Sequence, residues 1–152
     1  MNLNKLILLT LLLSGCAPPA TNSIDSAFEP LYDQFISQAN ASGLSLNPNQ
    51  GITIQFATLE QKDSLGEVIG ECSNAGYGGG TILIDTNFWN NADIDAQTVL
   101  LWHELGHCVL SEIHIQDPNA IMYAVIGQNI QYYISNPSTS FNVLLSDKGN
   151  SN

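Results

Sequence analysis

Residues 95–114, DAQTVLLWHELGHCVLSEIH, contain all three histidines of this 152-residue chain. The segment as far as Leu110 has neither proline nor a cluster of turn residues, and Asp93 and Asp95 are both good helix-capping residues. The pattern therefore predicts a helix over residues 95–110. Packing alone rarely gathers every histidine of a chain into one short segment, so the cluster indicates a functional site.

His103 and His107 are four residues apart, and on a helix they lie one turn apart on the same face. Both imidazoles can then bind one metal ion, and Zn²⁺ is the ion that imidazole sites with an open position favour. Glu104 lies beside that face, where it can take a proton from a zinc-activated water. Two hydrogen-bonded histidines without metal are the alternative, and the glutamate between them argues against it.

A third ligand must come from the residues after the helix. His114 is the main candidate, and Asp117 is the acidic alternative. Cys108 follows His107 directly and is rotated from it by about 100° on a helix, so it faces away from the metal.

The run HIQDPNAIMY, residues 114–123, resembles the third zinc histidine and the methionine turn of matrixins, which belong to the metzincin zinc proteases. The resemblance implies that Met122 packs beneath the zinc site without binding metal. One feature departs from the metzincin pattern HExxHxxGxxH: His114 follows His103 by eleven residues instead of ten. Leu110 also replaces the glycine that ends the helix in that pattern, so the chain needs another route back to the metal.

The chain also resembles short bacterial lipoproteins proposed as metallopeptidases, which share the HELGHC motif and a histidine at this longer spacing. The similarity covers most of the chain after residue 23. It includes a helix, a strand, a cysteine loop, a second strand and a tryptophan, which correspond here to residues 24–41, 52–57, Cys72, Thr81–Asp85 and Trp89.

The residue pattern predicts an α+β domain over residues 24–136. Apolar residues recur at helical spacing from Ser23 to Ala41, and residues 52–57 alternate as in a strand with one buried face. A second strand is expected at Thr81–Asp85 and a final helix at 127–134. We therefore expect a small metzincin-like zincin domain with a twisted sheet, an active-site helix, a C-terminal Met-turn and helix, and a flexible tail over 137–152.

The first residues are typical of a secretory signal. Residues 1–15 combine a weakly basic start with an apolar core, and Leu13-Ser14-Gly15-Cys16 resembles the lipobox of bacterial lipoproteins. This resemblance implies a lipid on Cys16, a tether over residues 16–23 and a location in the cell envelope, with the outer membrane expected. The membrane would then be a partner through the lipid alone.

Charge and cysteine content narrow the function further. The chain has 14 acidic residues and three lysines; loss of Lys5 with the signal changes the net charge from −11 to 2 − 14 = −12. Nucleic acid is therefore excluded as a partner.

Cys72 and Cys108 remain after Cys16, and a disulfide between them is the simplest expectation in an oxidising compartment, with free or regulatory thiols as alternatives.

Together these features predict a zinc-dependent metalloendopeptidase with Glu104 as general base and His103, His107 and His114 as zinc ligands. The resemblance implies that a peptide or protein substrate pairs with an edge strand at Thr81–Asp85. A noncatalytic envelope lipoprotein with a structural zinc site, closed by a ligand such as Asp117, is the alternative. A metal-free envelope protein is the third possibility.

Overall fold

The computed structural model describes residues 21–60, 62–63, 66–73 and 79–146, which form an α+β domain with a small mixed sheet. The predicted signal peptide and Cys16 lie outside the described residues. The strands are β1 Ser23–Ile24, β2 Thr53–Ala57, β3 Lys62–Asp63, β4 Gly66–Glu67, β5 Gly70–Ser73 and β6 Thr81–Asp85. The helices are α1 Glu29–Ala41, α2 Thr86–Asn91, α3 Ile94–Leu105, α4 Gln128–Ser135 and α5 Pro137–Ser146, and a π-helical turn, Gly106–Leu110, extends α3.

The main sheet has the order β1-β2-β6-β5. The first two pairings are parallel, and β5 runs antiparallel to β6, with Gly70 opposite Ile84 and Cys72 opposite Ile82. The predicted strand at Thr81–Asp85 is confirmed. Its predicted position at the edge is wrong, because β5 pairs along its outer side. Within the described residues β5 forms the edge of the sheet instead.

The N-terminal segment begins as a strand and not as the predicted helix. Ser23 N–H donates to Ile52 O at 2.8 Å and Asp25 N–H donates to Ile54 O at 2.9 Å, which makes β1 a neighbour of β2. Helix α1 begins at Glu29, with Pro30 in its first turn, where a proline needs no intrahelical donor. The helical spacing of apolar residues before Glu29 therefore reflects burial in a turn.

Asn22 fixes the start of the domain to the loop before β2. Its Oδ1 accepts the backbone N–H groups of Gln50, Gly51 and Ile52 at 3.0, 3.0 and 3.2 Å, and its Nδ2 donates to Pro48 O at 2.6 Å. One side chain thus satisfies several backbone groups that the loop leaves without partners.

Helix α3 begins where the sequence predicts, since Asp93 caps it by accepting Ala96 N–H at 2.9 Å. Before it lies α2, which the sequence did not predict. Asp85 ends β6 and caps α2 by accepting Phe88 N–H at 2.8 Å. Hydrogen bonds from backbone N–H groups, that of Phe88 first, lower the pKa of the Asp85 carboxyl. Helix α4 matches the helix predicted at 127–134 to within one residue at each end.

The core lies between the sheet and the helices. Ile82 and Ile84 of β6 are fully buried, as are Leu101 and Leu105 of α3. Trp102 connects α1 with α5. Its ring packs on Phe141, with centroids 4.7 Å apart, and its Nε1–H donates to Leu31 O at 3.2 Å. None of the helices in the described part of the chain is long and apolar enough to cross a membrane.

The prediction of a flexible tail over 137–152 is wrong for residues 137–146, which form α5. Phe141 and Leu144 are buried, and the Phe141 ring also meets Phe35 edge-on with centroids 5.8 Å apart. The sequence PSTSFNVLLS is rich in residues with low helix propensity, so its helical state depends on docking these two apolar side chains. The folding unit therefore extends beyond residue 136.

Replacing Phe141 with alanine should lower the free energy of unfolding by about 3 kcal/mol, because it leaves a cavity against Trp102. Urea denaturation followed by tryptophan fluorescence measures the change. The control is Asn142→Ala on the exposed side of the same helix, for which a change within roughly 0.5 kcal/mol is expected. Equal effects of the two substitutions would show that α5 does not contribute to the core.

Candidate metal centre

The structure brings together the three histidines that the sequence proposes as ligands. His103 lies in the last turn of α3, His107 in the π-helical turn and His114 in the loop that follows. Their Nε2 atoms form a triangle in which each edge is 3.1 Å. Of the described residues, these three form the group that could hold a metal ion.

Two backbone carbonyls determine how the rings are oriented. His103 Nδ1 lies 2.7 Å from Ile121 O and His107 Nδ1 lies 2.7 Å from Glu112 O. Since a carbonyl can only accept, each Nδ1 carries the proton and each Nε2 of the neutral ring presents a lone pair. Burial lowers the pKa of His103 to about 4 and also lowers the pKa of His107, so the neutral forms are favoured.

The bare Nε2 atoms of His103 and His107, 3.1 Å apart, cannot hydrogen-bond to each other, because neither carries a proton to share. A cation at the centre would satisfy them. In a tetrahedral site with metal–nitrogen bonds of 2.0–2.1 Å the ligand atoms are roughly 3.3 Å apart, close to the triangle observed here. The donor set therefore fits a metal ion with imidazole ligands.

The longer spacing before His114 is explained by the π-helical turn. A π turn holds one more residue than an α turn, so the extra residue between His107 and His114 is absorbed within Gly106–Leu110. Glu112 N–H then closes the end of the helix by donating to Gly106 O at 2.9 Å. Ser111, with φ 62° and ψ 28°, ends the helix in the left-handed conformation, one residue after Leu110.

The loop after the helix positions His114 against the segment that contains Met122. Ile115 N–H donates to Met122 O at 3.1 Å, and Ile115 and Tyr123 form an isolated bridge. Met122 is buried, and a Cβ at Gly106 would lie 2.4 Å from its Sδ. Met122 therefore packs directly on the backbone between the first two histidines.

Asp117, the alternative third ligand, is not part of the histidine cluster. Its exposed carboxylate accepts Asn119 N–H at 2.9 Å within its own loop. It has the local turn role that aspartate often has before a proline and an asparagine.

Glu104 is buried beside the histidines, with 4 % of its surface exposed. It borders the same cleft as the three rings. Burial, with a smaller contribution from the charge of Glu71, raises the pKa of its carboxyl to about 8. A buried acid with so few polar contacts is costly to keep charged, which is typical of a group that has a chemical task.

The cleft that contains the histidines has a volume of about 780 Å³. One side is the edge strand β5 with the residues just before it, and the other is the segment 111–114 with residues 124–126. Apolar and acidic side chains share its lining: Glu67, Val68, Ile69, Glu71, Phe88, Leu100, Glu104, Glu112, Val125 and Ile126.

A disulfide links the edge strand to the π-helical turn, as the sequence predicts. Cys72 of β5 and Cys108 of the π turn are bonded, with a Cα–Cα distance of 5.7 Å and a sequence separation of 36. The alternatives of free or regulatory thiols are therefore wrong. The closed loop constrains the unfolded chain by roughly 3 to 4 kcal/mol in the chain-entropy model, and it fixes one side of the cleft next to His107.

Several residues of the site carry no sequence signal. Ile121 and Glu112 act through backbone carbonyls, which any residue could supply. Gly70 lies beside Glu104 only because β5 packs on α3, and the glycine itself was the one visible hint, since glycine inside a strand often marks a close approach.

Comparison with known proteins finds no relative. No protein-family model, curated protein or solved structure matches the chain. A functional assignment therefore depends on the geometry and chemistry of the cleft.

The raised pKa of Glu104 predicts a stability change in chelator-treated protein. Glu104 holds its proton more tightly when folded, so its contribution is complete below the ordinary pKa of 4.5 and is lost as the pH rises through about 8. Glutamine has no proton to lose. Glu104→Gln should therefore raise the free energy of unfolding by roughly 2 to 4 kcal/mol at pH 9, and by little at pH 4.5.

Urea denaturation across this pH range provides the measurement. Glu60→Gln, at an exposed loop position, serves as the control and should give the same small change at both pH values. A Glu104→Gln effect that does not grow with pH would contradict the buried, protonated state of Glu104.

Proposed function

We propose that the chain is a zinc-dependent metalloendopeptidase of the metzincin type. The observation that carries the proposal is the convergence of three imidazole nitrogens beside a buried carboxylic acid, in a cleft bordered by the strand that forms the sheet edge within the described residues. The resemblance of the segments around His103 and Met122 to metzincins supports it. So does the packing of Met122 beneath the histidines.

Zinc is the metal that this donor set suits best. His103, His107 and His114 would hold it through neutral Nε2 atoms, and the two carbonyl acceptors behind the rings maintain the tautomer that binding requires. When bound, zinc supplies a Lewis acid that polarises the scissile carbonyl and makes water more acidic.

Glu104 is the proton acceptor in this proposal, in its ionised form, which the positive charge of a bound zinc ion would favour over the protonated form that burial favours without metal. It takes the proton of the attacking water and delivers it to the nitrogen of the departing amine, as a general base and then a general acid. It is buried beneath the edge strand and borders the cleft in which the peptide would lie.

The peptide would pair with β5, which replaces Thr81–Asp85 as the expected edge. Asp85 N–H donates to Ile69 O at 2.9 Å, so residues 69, 71 and 73 direct their backbone groups towards β6. By the same alternation, the N–H and C=O groups of Gly70 and Cys72 point outward along the cleft. An extended peptide can add to these groups as one more strand.

A purely structural zinc site is the alternative, and it needs a fourth protein ligand. The histidine cluster includes three ligand groups from the described residues, and Asp117 lies outside it. Three protein ligands beside an open cleft are typical of a catalytic zinc site.

Zinc content and peptide hydrolysis test the proposal together, on the soluble domain from residue 21. The wild type and Glu104→Gln should each bind one zinc per chain by elemental analysis, while His114→Ala should lose most of it. Hydrolysis of an unstructured protein substrate such as casein should fall by about 1,000-fold or more in Glu104→Gln, because a glutamine at this position cannot accept the proton.

Asp117→Ala is the matched control and should keep both zinc and activity. Full zinc binding by His114→Ala would contradict the three-histidine site. Undiminished hydrolysis by Glu104→Gln would refute the role of Glu104. One zinc per chain with no hydrolysis of any substrate in a broad peptide library would favour the structural alternative.

Amide hydrogen exchange tests where the peptide lies. A noncleaved peptide analogue carrying a zinc-binding group should slow exchange at Gly70 and Cys72 by at least about tenfold, because their N–H groups become hydrogen-bonded. The amides of Glu71 and Leu83, already paired within the sheet, provide the internal control and should change little. Protection confined to other segments would show that the peptide does not add to β5.

A further inference from the structure

Gly70 is the residue of the edge strand closest to the proposed proton acceptor. A Cβ atom at this position would lie 2.5 Å from Glu104 Oε1 and 3.0 Å from Glu104 Cδ. It would also lie 2.8 Å from Leu100 Cδ1. Separations below about 3 Å are not tolerated between such atoms, so a side chain at residue 70 and the present position of the Glu104 carboxylate exclude each other.

The backbone at Gly70 does not itself require glycine. Among the glycines that the structure describes, positive φ occurs at Gly43, Gly51, Gly66, Gly79 and Gly127 and not at Gly70. Its strand pairing with Ile84 is regular. A glycine inside a strand weakens it, since it has more freedom to lose and no side chain to pack. The role of Gly70 is therefore the space that its missing side chain leaves for the Glu104 carboxylate.

We propose that Gly70 is the positioning residue for Glu104, an inference that rests on the proposed function. The missing side chain lets the carboxylate lie directly against the backbone of β5, where Gly70 directs its own N–H and C=O outward to the cleft. A peptide paired at Gly70 then places its backbone next to the proton acceptor. The bond cleaved is the one that lies opposite Gly70.

The atoms nearest to a new Cβ are the ends of side chains, which determines what substitution should do. Gly70→Ala need not move the strand, since the Glu104 carboxylate and the Leu100 methyl can rotate away. The three atoms nearest to the new Cβ belong to Glu104 and Leu100, and none belongs to a histidine. The variant should therefore fold and bind zinc, with the carboxylate displaced from its place beside the peptide.

The first experiment measures kinetics and zinc content of the zinc-loaded domain. Gly70→Ala should keep one zinc per chain and a KM within about threefold of wild type, while kcat falls by roughly 100-fold, since a displacement of about 1 Å has effects of that size. Gly70→Ala with unchanged kcat would overturn the proposal.

The second experiment does not depend on activity. Gly70→Ala should lower the Tm of the chelator-treated domain by about 5 °C in the wild-type background, because Glu104 is forced into a new position in a buried site. In the Glu104→Ala background, where the carboxylate is gone, the same substitution should lower the Tm by less than half as much. Equal Tm changes in the two backgrounds would overturn the proposal.

Gly106→Ala is the matched control, since its new Cβ would meet Met122 Sδ at 2.4 Å and not Glu104. Its effect on the Tm should be the same with and without Glu104→Ala. Wild type that binds zinc and hydrolyses no peptide would refute the proposed function, and with it the catalytic meaning of Gly70. That failure is distinguishable, because the Tm measurements reveal the contact with Glu104 independently.

Discussion

The hydrogen bonds from the buried His103 and the half-buried His107 to backbone carbonyls are the constraint on which the rest of the site depends. His103 and His107 each direct Nδ1 to a carbonyl at 2.7 Å, which fixes both rings in the tautomer whose Nε2 is bare. The acceptors belong to Ile121 and Glu112, in segments that come after the helix. The chain must therefore return twice to the same helix face, once at the end of the π turn and once at the residue before Met122.

That requirement explains the local irregularities. If the chain stayed α-helical through Leu110, the carbonyl of Glu112 could not reach His107 Nδ1. An α-helical turn would also leave one residue too many before His114. The π turn followed by the left-handed Ser111 solves both problems, at the energetic cost of an L-residue in a disfavoured conformation. Irregular backbone of this kind is common where a helix carries functional groups.

Long periodic segments were predictable, and short tertiary ones were not. The helix before His103, the strand at Thr81–Asp85, the histidine ligands and the disulfide follow from spacing and chemistry. The edge strand β5 is four residues, GECS, with no alternation of polarity, so only its pairing with β6 reveals it. Helix α5 consists largely of poor helix formers and becomes helical because Phe141 docks on Trp102. The position of Gly70 beside Glu104 arises from packing between distant segments, which no local pattern encodes.

The groups that destabilise the domain lie around one cleft, and the contacts that stabilise it lie in the surrounding structure. A buried carboxylic acid and three imidazole nitrogens facing one another destabilise a chain that holds no cation. An aromatic cluster around Trp102 and a disulfide that joins β5 to the π-helical turn stabilise the surrounding structure. Because the disulfide holds the edge strand against the helix, Gly70 and Glu104 remain in contact although nothing hydrogen-bonds them to each other. Stability supplied elsewhere thus permits a reactive arrangement that would not persist by its own interactions.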